Sequence, residues 1–209
     1  MVLTKVFIAR FTAAAALLLG VSACTGGGAA PSSSAGSPSA SASSSSASPT
    51  PTAAYKPADA NGPAENVPKP EKPALADEFS EQGLDAFTRY WYAAYNYMQE
   101  TGDVSLVQAV TEQSCARCNN VFRDVPAWYQ KGGWIAGGLM TVDATKVSFV
   151  TASNGAYQVL IQYGIASGQY IRNDKTLADP IEEEVANGDV LNATHANGLW
   201  VVTDIGIAG

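Results

Sequence analysis

The sequence predicts an α+β fold in which three helices pack on a four-stranded antiparallel sheet. Apolar residues recur at helical spacing up to about residue 130, and alternation of apolar with polar residues begins beyond Gly138. Two Asn-Gly pairs separate the alternating segments, as expected for tight turns between antiparallel strands. Helices followed by strands favour a sheet that covers the helices on one face.

Three helices are predicted in the first half of the compact region. The first spans Asp77–Thr101 and ends at Gly102, because glycine readily adopts the left-handed conformation of a helix end. Asp103 is expected to cap a short second helix. A third helix follows Cys118, and Pro126 is expected to bend it or restart it. Residues three or four apart form the apolar face of the first helix: Leu84, Phe87, Trp91, Ala94, Tyr95 and Met98.

Four strands follow, paired as two hairpins. In the most regular of them, Tyr157–Ile165, apolar and aromatic residues alternate strictly with polar or small ones. Asn154-Gly155 and Asn197-Gly198 supply the turns, because both residue types tolerate a positive φ. Asn173–Pro180 is expected to be the loop between the hairpins. The other three strands fall within residues 142–149, 182–196 and 199–207.

The N-terminal residues indicate export. Lys5 and Arg10 precede a short apolar run, which ends in the small residues and thiol of Val21-Ser22-Ala23-Cys24. This layout is typical of a secretory signal peptide and is too short for a membrane-spanning helix. Because the tetrapeptide resembles a bacterial lipobox, residues 1–23 are predicted to be removed and Cys24 to carry a diacylglyceryl group.

Residues 24–73 are predicted to form a disordered tether. Ser, Ala, Pro, Thr and Gly dominate this segment and offer too little apolar surface to offset the entropy of ordering the backbone. Residues 74–209 remain for one compact domain. The expected location is therefore the extracytoplasmic face of the cell membrane, with the lipid as the anchor and the membrane as its partner.

Charge argues against nucleic acid as a partner. The chain carries a net charge of −7, and loss of Lys5 and Arg10 leaves ten basic against nineteen acidic residues, or −9. A chain with this balance and no basic stripe also lacks the means to bind anionic lipid electrostatically. Membrane attachment is therefore assigned to the lipid alone.

Cys115 and Cys118 remain once Cys24 is assigned to the lipid. An even pair in an oxidising compartment predicts a disulfide between the second and third helices. A thiol–disulfide redox role is the alternative, because a helix N-terminus and Arg117 would lower the pKa of Cys115. No metal or cofactor is expected, since two thiolates and the distant His195 do not complete a four-ligand zinc site.

The order of elements over residues 74–209 resembles the nuclear-transport-factor-2-like cone fold. That resemblance implies a curved sheet and a pocket between the sheet and the first helix. The lipobox, the tether and the stretch from Thr101-Gly102-Asp103 through Cys115-Ala116-Arg117-Cys118 to Gly132-Gly133 also resemble a family of uncharacterised actinobacterial lipoproteins. This second resemblance implies a location and no activity.

Aromatic side chains are the predicted ligand-binding residues, because their rings have apolar faces and, in Tyr and Trp, polar tips. Core packing of the same rings is the plainer interpretation. The favoured function is non-catalytic binding of a small ligand, a cell-wall component or an extracytoplasmic protein partner. The predicted pocket residues are Tyr90, Trp91, Tyr95, Trp128, Trp134, Tyr157 and Tyr163.

An enzyme built in the same pocket is the second functional hypothesis, with a carboxylate as general base. Asp143 and Asp204, flanked by strand-like sequence, and Asp85 on the first helix are its candidates, but no catalytic residue is assigned. His195, the only histidine, is expected to be an ordinary residue near a strand end. The acidic residues from Asp179 through Glu182-Glu183-Glu184 to Asp189 are interpreted as a solvated face rather than a Ca²⁺ site.

Overall fold

Three α-helices precede seven strands in the computed structural model, which describes residues 53–208. The predicted signal peptide, Cys24 and residues 24–52 of the predicted tether lie outside the described residues. A 3-10 helix, Ala74–Asp77, comes first. The elements that follow are α1 (Glu81–Thr101), α2 (Ser105–Ala109), α3 (Ala116–Gln130), β1 (Trp134–Gly137), β2 (Met140–Ser148), β3 (Tyr157–Ile165), β4 (Gly168–Ile171), β5 (Leu177–Ile181), β6 (Glu184–Ala196) and β7 (Leu199–Ile207).

The strands form two antiparallel sheets, where the sequence predicts one. The predicted hairpins give the four-stranded sheet in the order β2-β3-β6-β7, and β1-β4-β5 form a separate three-stranded sheet. The expected loop at Asn173–Pro180 is wrong from Leu177 onward, because β5 pairs with β4 there. The strands of this second sheet have four or five residues, too few to show a clear alternation in the sequence. Pro180, which has no N–H to donate, is tolerated in β5 because β5 is an edge strand.

Helix α1 begins four residues later than its spacing predicts. Ser80 is the N-cap, and its hydroxyl accepts a hydrogen bond from the Gly83 N–H at 2.9 Å. Glu78 is extended and separates α1 from the preceding 3-10 helix. Gly102 ends α1 with a φ of 75°, as predicted.

The core lies between α1 and the four-stranded sheet. Leu84, Phe87 and Met98 of α1 are buried with Val159 and Leu191 of the sheet, which confirms the predicted apolar face. The turn at Asn197-Gly198 has positive φ at both residues, as the pair predicts. Within residues 53–208, no helix combines the length and the apolar character required to cross a membrane.

Residues 53–73 differ from the predicted tether because hydrogen bonds hold them on the folded domain. The Trp134 indole donates to the Asp59 carbonyl at 2.8 Å, and the Tyr55 hydroxyl donates to the Glu100 carboxylate. Lys56 and Glu65 form an antiparallel bridge within the segment. The composition of residues 53–73 does not predict these contacts. The segment has no buried apolar face, and hydrogen bonds at single residues hold it on the domain instead.

Candidate functional site

A cavity of about 140 Å³ lies between α1, the start of α3 and the four-stranded sheet. Successive turns of α1 supply three aromatic rings, and α3 supplies residues of its first turns. All four strands of the four-stranded sheet contribute, with aliphatic side chains, one tyrosine and one aspartate. The lining consists of Trp91, Tyr92, Tyr95, Arg117, Cys118, Val121, Met140, Tyr163, Ile165, Asp189 and Ile205.

Asp189 is the charged residue inside this cavity. It lies on β6 in the same alternation as Leu191 and Ala193, so the strand turns its carboxylate toward the core. Its exposed fraction is 3%. The acidic pattern from Asp179 to Asp189 predicts a solvated face, and that prediction is wrong for Asp189. Asp189 lies two residues before Leu191 and four before Ala193, both buried and apolar. This alternation is the sequence signal that could have placed Asp189 on the buried face of the strand.

The two oxygens of Asp189 differ in their partners. The Tyr92 hydroxyl donates to Oδ2 at 2.8 Å, a normal hydrogen bond. The Tyr163 hydroxyl is 3.5 Å from Oδ1, and Nη1 of Arg117 is 3.6 Å from the same atom. Oδ1 therefore has only long contacts among the described residues, although it belongs to a buried carboxylate.

The tyrosines around Asp189 stay protonated far above neutral pH. Burial, followed by the negative charge of Asp189, raises the pKa of Tyr92 and that of Tyr163. Burial also raises the pKa of Tyr95 to about 12. Their hydroxyls are consequently neutral hydrogen-bond donors. Among the described residues, Asp189 and Arg117 supply the charged groups that line the cavity.

Arg117 lies at the mouth of the cavity, inside the four-residue loop closed by Cys115 and Cys118. The two sulfur atoms are 2.00 Å apart, which confirms the predicted disulfide. Sγ of Cys115 accepts from the Cys118 N–H at 3.3 Å, so the same disulfide sulfur caps α3. The Arg117 side chain is 47% exposed, against 5% for its partner Asp189.

The structure brings three of the seven predicted pocket residues to the cavity: Trp91, Tyr95 and Tyr163. Tyr92, which is absent from that prediction, joins them. Tyr90 is buried in the core, and Tyr157 packs among other rings at the far end of β3. Trp128 and Trp134 do not line the cavity. The Trp128 indole donates to the carbonyls of Trp134 and Ile171, and the Trp134 indole donates to that of Asp59.

The candidates for acid–base chemistry lie apart from the cavity. Nε2 of His195 is 3.0 Å from the Asp77 carbonyl, and its ring packs on Trp200. Asp143 and Asp204 are exposed, and Asp85 pairs with Arg89 on the surface of α1 at 3.1 Å. Across residues 53–208, His, Cys, Asp and Glu side chains do not gather in threes or more in a way that could hold a metal ion.

Together, fold and cavity define an α+β domain with a half-buried aromatic pocket around one carboxylate. The chain belongs to a family of unknown function, DUF6318, which matches residues 53–206. No curated protein matches it. Among solved structures it is similar to the intermembrane space region of the chloroplast protein ARC6, with 10% identity and a TM-score of 0.43 over 63% of this chain and 98% of that one.

Proposed function

We propose that the domain binds a small molecule in the cavity around Asp189, without covalent chemistry. The observation that carries this proposal is the buried carboxylate of Asp189, whose Oδ1 has only long contacts, at 3.5 and 3.6 Å, with the described residues. Apart from Arg117 and Cys118, the rest of the lining is aromatic and aliphatic. Convergent polar groups in an apolar pocket are typical of ligand sites. An apolar cavity of roughly 150 Å³ holds a molecule of benzene's size, and this one is similar in volume.

The proposed setting of this binding module is the outer face of the cell membrane. Cys24 would carry the lipid, and the residues between it and the domain would form the tether. Replacing Cys24 by Ser should move the protein from the membrane fraction into the soluble fraction. Retention of the variant in washed membranes would contradict lipid anchoring.

A cone-like arrangement of α1 over the four-stranded sheet is part of the same proposal. Its support is the position of the cavity, which lies between the helix and the sheet as the resemblance implies. The redox alternative receives less support, because Cys115 and Cys118 are 0% and 5% exposed. A buried disulfide is a poor substrate for exchange with another thiol.

Filling the cavity tests the binding proposal. Val121 lines the cavity from α3 and is only partly buried, so Val121→Phe adds volume there with little strain on the core. Val185→Phe is the matched control, since Val185 is 79% exposed and does not line the cavity.

We expect phenol to shift the NMR signals of cavity residues in the wild-type protein and in Val185→Phe, and to lose at least about tenfold in affinity in Val121→Phe. Equal affinities in the two variants would contradict binding at this cavity. So would failure of phenol, n-butanol and n-butylammonium alike to bind the wild-type protein.

A further inference from the structure

We propose that the ligand of the cavity is a small organic cation whose ammonium group binds Asp189. This inference rests on the proposed function and adds the chemical class of the ligand. It follows from three observations: the unequal partners of the two carboxylate oxygens, the aromatic wall beside them, and the solvent exposure of Arg117, which lies near them.

The first observation is that none of the described residues places a strong donor on Oδ1 of Asp189. The usual O–H···O distance is about 2.5–3.0 Å, and N–H···O bonds reach about 3.2 Å. The contacts of Tyr163 and Arg117 with Oδ1, at 3.5 and 3.6 Å, lie outside those ranges. A buried carboxylate is stabilised only when it is closely paired and hydrogen-bonded, so the site favours a ligand that brings a cationic N–H donor.

The second observation is a continuous aromatic wall next to that oxygen. The ring of Trp91 lies 5.2 Å from that of Tyr92 and 5.6 Å from that of Tyr95, between ring centroids. The ring of Tyr163 lies 5.9 Å from that of Tyr92. Neutral aromatic faces attract a desolvated cation through their quadrupoles, so the wall adds to the attraction exerted by the carboxylate.

The third observation concerns Arg117, the cation that already lies near Asp189. Its side chain is about half exposed, and its long stem allows the guanidinium to remain solvated while its charge faces the cavity. A ligand ammonium can approach Oδ1 more closely than Arg117 does, and Arg117 can turn toward water when it is displaced. An anionic ligand would be attracted by Arg117 but repelled by the buried negative charge of Asp189.

Three probes of similar size separate these possibilities: n-butylammonium, n-butanol and butyrate, each titrated into the full-length protein by calorimetry. We expect n-butylammonium to bind at least about tenfold more tightly than n-butanol, and butyrate to bind more weakly than either. If n-butanol binds and n-butylammonium does not bind more tightly, the cation assignment is wrong while the cavity remains a binding site. If none of the probes binds, and phenol also fails, both proposals are overturned.

The variant Asp189→Asn removes the charge and keeps an oxygen acceptor for Tyr92. It should lower the affinity for n-butylammonium by at least about tenfold and change that for n-butanol by less than about twofold. Asp204→Asn is the control, because Asp204 is exposed on β7. An equal loss for both probes in a folded Asp189→Asn protein would overturn the assignment. If that variant does not fold, the ranking of the three probes on the wild-type protein decides.

Discussion

Two groups of aromatic side chains lie at opposite ends of the same sheet and differ in what their polar atoms contact. The open cluster consists of Trp91, Tyr92, Tyr95 and Tyr163, around the cavity. The closed cluster consists of Phe79, Phe149, Tyr157, His195 and Trp200. Tyr157 and Tyr163 stand six residues apart on β3, so the two clusters are separated by roughly 20 Å along the strand.

In the closed cluster, the polar atoms of Trp200 and His195 contact backbone carbonyls. The Trp200 indole donates to the Glu78 carbonyl at 2.9 Å, and His195 contacts that of Asp77 at 3.0 Å. In the open cluster, two tyrosine hydroxyls and an arginine converge instead on the side chain of Asp189. The number of aromatic residues in a cluster therefore does not identify a binding site. The partners of their polar atoms distinguish the packed cluster from the candidate binding site.

The largest expected effect is on the closed cluster. Trp200 is 1% exposed and packs against Tyr157, His195 and Phe79, so Trp200→Ala should lower the free energy of unfolding by about 3–5 kcal/mol. Urea denaturation measures this loss. Leu199→Ala, at a neighbouring residue that is 46% exposed, should cost less than about 1 kcal/mol. Similar losses in both variants would show that the closed cluster is not a packed unit.

A smaller loss of stability is expected in the open cluster. Tyr92→Phe removes the 2.8 Å hydrogen bond to Asp189 and should cost about 1.5–3 kcal/mol, because the carboxylate it leaves is buried. Tyr163→Phe removes only a contact of 3.5 Å and should cost about 0.5 kcal/mol. Equal losses in the same urea experiment would contradict the unequal pairing of the two oxygens.

Local patterns predict much of this fold and less of its site. The spacing of Leu84, Phe87 and Met98 predicts α1, and the two Asn-Gly pairs predict the hairpins, because both signals depend only on nearby residues. The three-stranded sheet is absent from the prediction, since its strands are too short to alternate detectably.

The site depends on contacts between residues distant in sequence. Asp189 and Tyr92 are 97 residues apart, and their hydrogen bond requires both the rotation of α1 and the register of β6. No short segment contains that information. The acidic residues before Asp189 also predict that the strand is exposed to solvent. The spacing of Asp189 from Leu191 and Ala193 indicates the opposite, because every second residue of a strand lies on the same face.

The indole N–H signals of the four tryptophans provide the most direct measurement of the central claim, because one tryptophan lies at the cavity and three lie elsewhere. On titration of the ¹⁵N-labelled protein with n-butylammonium, the Trp91 signal should move in a saturable way. The signals of Trp128, Trp134 and Trp200 should stay in place. Movement of the Trp200 signal while that of Trp91 stays fixed would contradict ligand binding at the open cluster, as would the absence of any shift.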